Sequence, residues 1–289
     1  MLQNPLGAFY SIAGGGYKGA FESAVADGAT ALHMFGKSPR SGKLKGEFKS
    51  EAAEALAYFK TSPLTYGVLH ASYLLNFAKK QPRDSYQFQL LEEDLAIASA
   101  CGLNGVVLHM GKTVGQDPAV ARENFEKQIA SILPTAEKLK VDLILENTAG
   151  QGTEIGFAFE DYGTIFKNIL KHHRSKHLKA CLDTEHSFAA GYDWTNEKSA
   201  SEALDLFDKT VGLEHLACAH FNDSKNPCGS RLDRHADIDR GEIGKKGLKN
   251  FIELLNKKTG GFIPLLLETP AESPSYQYKQ QMQEIRSWF

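Results

Sequence analysis

Eight short apolar runs, each followed by a stretch with helical spacing, constrain this chain more than any other feature. They are LGAFYSI (6–12), ALHMFG (31–36), YGVLHAS (66–72), GVVLHM (105–110), VDLILENT (141–148), HLKACLDTEH (177–186), LACAHFND (216–223) and FIPLLLETP (262–270). Near-continuous apolar strands suit a parallel sheet covered on its faces, not a sheet with one wet side. Between them, Leu91, Leu95 and Ala98 share one face of a segment expected to start near Asp84 and stop at Gly102. Ala121, Phe125, Ile129 and Ile132 do the same after Pro118, a residue suited to a first helical turn. Tyr278, Met282 and Ile285 mark a last helix. Eightfold strand–helix alternation predicts an α/β fold of the (β/α)8 TIM-barrel type, with a doubly wound open sheet as competitor. The 289 residues suit one such barrel, and no linker or repeat divides them, so residues 1–289 are expected to form a single domain.

The polar residues of these runs gather at one end. His70 closes the third, His109 the fourth and Glu146 the fifth; Asp183 and His186 close the sixth, His220 the seventh and Glu268 the eighth. Asp233 and His235 follow in the loop after the seventh. In a parallel barrel all strand ends meet at one face, where active sites are built. A lone histidine at a strand end is more often a hydrogen-bonded structural residue than a ligand. Five imidazoles and four carboxylates at one mouth are too much buried polarity to leave unpaired. Nitrogen and oxygen ligands without thiolate suit Zn²⁺, Mn²⁺ or Fe²⁺ better than Ca²⁺ or Mg²⁺. At three or four ligands per ion, with some shared, the set serves two or three ions. Such ions polarise a phosphoryl oxygen, generate hydroxide near neutral pH and stabilise a leaving alkoxide, the three difficulties of phosphodiester hydrolysis. The other histidines, at 33, 172, 173, 177 and 215, are expected to be structural or solvated.

Charge bears on the substrate. The formal net charge is −2, which argues mildly against a nucleic-acid partner. Bound divalent ions and local clusters can reverse that sum. Lys37, Arg40, Lys43 and Lys45 follow the second run, Lys79, Lys80 and Arg83 the third, and Lys225, Arg231 and Arg234 the seventh, so a basic rim is expected at the same mouth. KNILKHHRSKHLK (167–179) is equally basic but belongs at the opposite face, where solvation explains it. No apolar run approaches the roughly 20 residues of a membrane span, and no signal peptide is legible. The four cysteines, at 101, 181, 218 and 228, form no CxxC pair and read as free thiols of a reducing compartment. We expect an intracellular monomer with no membrane partner and no nucleotide cofactor.

Several longer motifs occur in order along the chain: GAFYSIAGG (7–15), LHASYLLN (69–76), VLHMG (107–111), LENTAGQG (145–152), CLDTEHSFAAGYD (181–193), HFNDSK (220–225), GSRLDRHADI (229–238), RGEIG (240–244) and LLETP (266–270). With them the chain resembles the endonuclease IV family of abasic-site endonucleases over essentially its whole length. The resemblance implies a (β/α)8 barrel carrying three zinc ions, and because zinc and manganese tolerate similar ligands manganese could replace some. It implies one ion on His70, His109 and Glu146, a second on Glu146, Asp183, His220 and Glu268, and a third on His186, Asp233 and His235. It also implies the reaction: hydrolysis 5′ to an abasic deoxyribose in double-stranded DNA, leaving a 3′-hydroxyl and a 5′-deoxyribose phosphate. Hydroxide between the ions bridged by Glu146 would be the nucleophile, oriented by Glu268, with a 3′-phosphodiesterase side activity. Arg40 matches a family arginine that enters the DNA stack, and Tyr73 with Leu74 matches a pair that fills the gap at the lesion.

The chain departs from the family at four places. Phe9 replaces the histidine usual in the first motif, Ala71 stands where an acidic residue is common, and Glu185 where a small or thiol residue is common. The loop after Arg40 continues SGKLKG and lacks a tryptophan often found there. None removes a metal ligand. The competing functions are a metal-dependent sugar isomerase or epimerase on the same barrel, and a non-catalytic lesion-binding protein.

Overall fold

The computed structural model describes residues 1–38, 42 and 48–289. Eight parallel strands close into a barrel: β1 (Leu6–Phe9), β2 (Ala31–Phe35), β3 (Tyr66–His70), β4 (Gly105–His109), β5 (Asp142–Glu146), β6 (Leu178–Asp183), β7 (Leu216–His220) and, last in the ring, β10 (Leu265–Leu267). β10 pairs with β1 on one side and with β7 on the other, which closes the ring. β8 (Asp223–Ser224) and β9 (His235–Ala236) form a separate antiparallel pair. The helices are α1 (Gly16–Ala26), α2 (Phe48–Thr61), α3 (Tyr86–Cys101), α4 (Pro118–Leu139), α5 (Phe159–His172), α6 (Thr184–Ala190), α7 (Glu197–Thr210), α8 (Gly244–Thr259) and α9 (Tyr278–Ser287). The barrel of the expected type is therefore present, and the open sheet is not.

Local chemistry accounts for the helix boundaries. The Asp117 side chain accepts from the amides of Ala119 and Val120 at 2.8 and 3.3 Å, and Pro118 opens α4. α3 begins at Tyr86, two residues later than expected, and ends where Gly102 takes φ 75°, a left-handed cap that glycine adopts without strain. The run at 177–186 reads as strand-like throughout, but only its first part is a strand. Asp183 accepts from His186 N at 2.8 Å and caps α6, so the chain turns helical immediately after β6.

Two apolar groups hold the barrel. The larger lies between the strands and the surrounding helices and includes Leu32, Leu69, Phe125, Phe166, Leu204 and Phe251. The smaller is made by Ala31, Val68, Val107, Ile144, Cys181, Cys218 and Leu266, with Tyr66 packed against it. These are barrel-interior positions, and they plug the barrel below the polar strand ends. All four cysteines are free, and only Cys228 is exposed.

Candidate metal centre

Strand pleating builds the site. Two residues beyond Val68, Val107, Ile144, Cys181, Cys218 and Leu266 stand His70, His109, Glu146, Asp183, His220 and Glu268, on the same interior face. Asp183 places His186 by capping α6. The β8–β9 pair folds the loop after β7 back over the mouth, with Asp233 shortly before β9 and His235 inside it. All nine side chains singled out from the sequence converge, whereas Arg40 lies outside the described residues.

Glu146 is the hub. It is fully buried. Its Oε2 lies 3.3 Å from His70 Nε2 and 3.0 Å from His109 Nε2. Its Oε1 lies 2.9 Å from His220 Nδ1 and 3.2 Å from His186 Nδ1. His220 Nδ1 also faces Glu268 Oε2 at 2.9 Å and Asp183 Oδ2 at 3.9 Å. At the outer edge, His186 Nε2 faces Asp233 Oδ2 at 3.5 Å, and His235 Nε2 faces Asp233 Oδ1 at 3.6 Å.

The opposite atoms of several rings are fixed by backbone carbonyls. His70 Nδ1 bonds Ala71 O at 2.8 Å, His186 Nδ1 bonds Asn147 O at 2.9 Å, and His235 Nδ1 bonds Glu268 O at 3.2 Å. A carbonyl accepts only, so each of these Nδ1 atoms carries a proton and Nε2 is the ring atom left to face the centre. Asn222 Nδ2 donates to Asp183 Oδ2 at 2.7 Å, and Asn147 Oδ1 accepts from Asp183 N at 2.8 Å.

Electrostatics point to a cation. Burial opposes ionisation of Glu146, yet His220 and His109 hold its carboxyl well below the usual range. Burial likewise opposes the charge on His186 and His220, and surrounding carboxylates push both pKa values well up. Protons thus occupy lone pairs that an ion would take. Glu146 Oε2, Glu185 Oε2, His220 Nε2 and His235 Nε2 are buried without a hydrogen-bond partner. Potential ligand atoms of His70, His109 and Glu146 lie within 4.8 Å of one another, as do those of Glu146, Asp183, His220 and Glu268, and those of Asp183, Glu185, His186 and His235. These nitrogen and oxygen donor sets fit divalent transition ions.

Sequence reasoning missed two residues and misplaced one. His33 is not a remote structural histidine: it is 1% exposed and its Nδ1 faces Glu268 Oε1 at 3.3 Å. Its ring stacks on His220 at 5.1 Å, and burial pushes its pKa down to about 3, so it is neutral. The signal was the alternation Ala31, His33, Phe35 along the interior face of β2. Glu185 is fully buried beside His235. Lys37, expected on the basic rim, is buried instead; its Nζ donates to Leu90 O at 2.7 Å and to Glu93 at 2.9 Å. A lysine following β2 has a buried carbonyl and the carboxylates of α3 as acceptors nearer than solvent.

The mouth opens into a cavity of about 210 Å³ lined by His70, Tyr73, His109, Lys112, Gln151 and Asp233. Tyr73 and Leu74 protrude beside it, 66% and 46% exposed. Among the described residues no helix is long and apolar enough to cross a membrane.

A closed parallel barrel with several groups of His, Asp and Glu at its strand ends that could hold metal ions defines a class, and the comparisons agree. The Xylose isomerase-like TIM barrel family matches residues 21–288. A "Probable endonuclease 4" from Halothermothrix orenii is 37% identical over 270 residues, covering 92% of this chain and 93% of its own length. The crystal structure of endonuclease IV from Thermus thermophilus superposes with a TM-score of 0.80 at 33% identity, covering 98% of each chain. A D-tagatose 3-epimerase-like protein superposes with a TM-score of 0.72 at 18% identity over 98% of this chain and 96% of its own, which shows the shared fold alone. The chain belongs to the endonuclease IV family of abasic-site endonucleases.

Proposed function

We propose that this protein is a zinc-dependent DNA-repair endonuclease that cuts the phosphodiester 5′ to an abasic site. The observation that carries the reading is the convergence of nine ligand side chains, with both Glu146 oxygens shared among four imidazoles. In this reading residues 1–289 act as one catalytic domain and a monomer. His70, His109 and Glu146 would hold one ion, Glu146, Asp183, His220 and Glu268 a second, and His186, Asp233 and His235 a third. Bound ions would supply Lewis acidity toward a phosphoryl oxygen, activation of water and neutralisation of a leaving alkoxide.

The chain's own residues do the rest. Glu146 stays ionised and joins two donor sets through its separate oxygens. Burial opposes ionisation of Glu268, but His220 holds its carboxyl low, so it can accept a hydrogen bond from the attacking water. Its orientation is fixed on one oxygen by His220 and faced on the other by His33. Tyr73 and Leu74, apolar and exposed beside the cavity, suit the gap left by a missing base. Arg40 would enter the DNA stack. Products would be a 3′-hydroxyl and a 5′-deoxyribose phosphate, and removal of 3′-blocking groups would use the same centre.

The test is a duplex carrying one tetrahydrofuran abasic analogue, incubated with and without chelator. Nicking on the 5′ side that chelator abolishes and Zn²⁺ restores is expected. Binding without nicking would mean a lesion sensor. Neither binding nor nicking would favour sugar chemistry on this barrel.

A further inference from the structure

We propose that Glu185 supplies an additional carboxylate ligand to the ion held by His186, Asp233 and His235. The inference rests on the metal reading above and adds a residue at which this chain departs from its family. Glu185 is fully buried, and its two oxygens are treated differently by the fold. Oε1 is engaged, accepting from Ser224 Oγ at 3.2 Å and from Arg234 N at 3.1 Å. Oε2 is without a hydrogen-bond partner and lies 3.8 Å from His235 Nε2, which also lacks one. A buried carboxylate oxygen with no donor is costly unless a cation meets it.

The spacing suits an ion better than a direct bond. His235 Nε2 faces Asp233 Oδ1 at 3.6 Å, Glu185 Oε2 at 3.8 Å and Asp183 Oδ2 at 3.9 Å. All three exceed hydrogen-bonding range. With metal–ligand bonds of about 2.0–2.1 Å, neighbouring ligand atoms of a tetrahedral site lie about 3.3–3.4 Å apart, so an ion needs a contraction of only a few tenths of an ångström. Oε1 is anchored to β8 and to the residue before β9, so the loop that delivers His235 also aims Oε2. With Glu185 the site offers two imidazoles and two carboxylates, a full complement of four protein ligands. Such a site holds its ion more firmly than a three-ligand site that keeps a position open.

The experiment titrates the Zn²⁺-loaded full chain with a chelator and counts zinc retained per chain by elemental analysis. Glu185→Gln keeps the Oε1 acceptor for Ser224 and Arg234 but removes the anionic ligand. Glu185→Ala, the kind of small residue usual here in the family, guards against a Gln variant that misfolds. The wild type is expected to retain three ions. Both variants are expected to release one ion at a chelator concentration about 10–100-fold lower, with the other two unmoved. Three ions in the wild type and an unchanged release curve in the variants would overturn the role of Glu185 and leave the metal reading standing. A Gln variant that behaves as wild type while the Ala variant loses an ion would make Glu185 a hydrogen-bonding prop, which also overturns it. A wild type that never binds a third ion would defeat the three-metal reading itself.

Discussion

Six barrel strands carry two interior positions a single pleat apart, about 6.6 Å along the strand. The lower layer is Val68, Val107, Ile144, Cys181, Cys218 and Leu266, and the upper is His70, His109, Glu146, Asp183, His220 and Glu268. Burial separates them only in part: Glu146, Asp183 and His220 are as inaccessible as Ile144, while His109 and Glu268 are partly exposed. The difference is in partners. Lower side chains pack on one another, which stabilises the barrel as apolar area leaves water. Upper side chains face one another with unpartnered atoms among them, which costs stability until something cationic arrives. One backbone thus carries a layer that holds the fold and a layer that, under the proposed function, would do the chemistry.

The sharpest break in the comparison is Glu146→Gln against Ile144→Ala, adjacent positions on one face of β5. Glu146→Gln is expected to lower nicking on the order of 10³-fold or more, the scale for losing a residue that works as part of a catalytic unit. Abasic-DNA binding should remain, because the DNA surface is untouched. Ile144→Ala should cost about 2–5 kcal/mol of stability through the cavity it leaves. Its metal content, measured while it is still folded, should be unchanged. Unfolding titrations and single-turnover nicking of both variants separate the layers. A catalytically normal Glu146→Gln protein with full metal content would end the hub assignment.

The next test sharpens the upper layer alone. His235→Ala and Asp233→Ala should each lower zinc stoichiometry by about one ion per chain, as a site falls below its ligand complement. Both variants should behave alike, since His235 Nε2 and Asp233 Oδ1 face each other at 3.6 Å across one site. Unchanged zinc in both would remove the loop before β9 from the centre.

Outside both layers stand Tyr73 and Leu74. Truncating both should weaken abasic-duplex binding by about 1–3 kcal/mol, the scale of a lost base-stacking contact. Salt-dependent binding to intact duplex should hardly change, because phosphate contacts set it. Paired salt titrations on abasic and intact DNA of one sequence decide this. Equal losses on both would mean that the pair supports general docking or folding.

The barrel was legible because strand runs and helical spacing alternate eight times, and seven of the nine candidate ligands because each closes a run; Asp233 and His235 were read only as polar residues of the loop after the seventh. What escaped has physical reasons. Glu185 follows Asp183 by two residues, but the chain is already helical there, so strand alternation says nothing of its direction. The β8–β9 pair is two residues per strand, too short to leave a periodic signal. Lys37 reads as a loop cation until its acceptors in α3 are seen.

His33 escaped because of the stagger of a closed barrel, and it yields the smallest expected effect. It stands two residues before the end of β2, and in register it pairs with Val68, a lower-layer residue. On its other side it pairs with Phe9, while Ala8 pairs with Leu267, one residue before Glu268. A row followed across the sheet therefore climbs from the lower layer to the upper, and His33 meets Glu268 at 3.3 Å. Phe9 stands where the resemblance leads one to expect a histidine, and its ring packs edge-on against His33 at 5.4 Å. An imidazole absent from β1 is thus present on the neighbouring strand, neutral and able to donate one N–H to Glu268. His33→Ala is expected to lower the nicking rate constant about tenfold, the low end for loss of a supporting interaction at a metal site. Zinc stoichiometry and abasic-DNA affinity should stay as they were. Adding Phe9→His to His33→Ala should recover much of the rate if an imidazole beside Glu268 is what matters. A double variant no faster than His33→Ala would mean that the two strands are not interchangeable. Loss of an ion in His33→Ala would move His33 from positioning Glu268 to ligation, which its place beside His220 and Glu268 also permits.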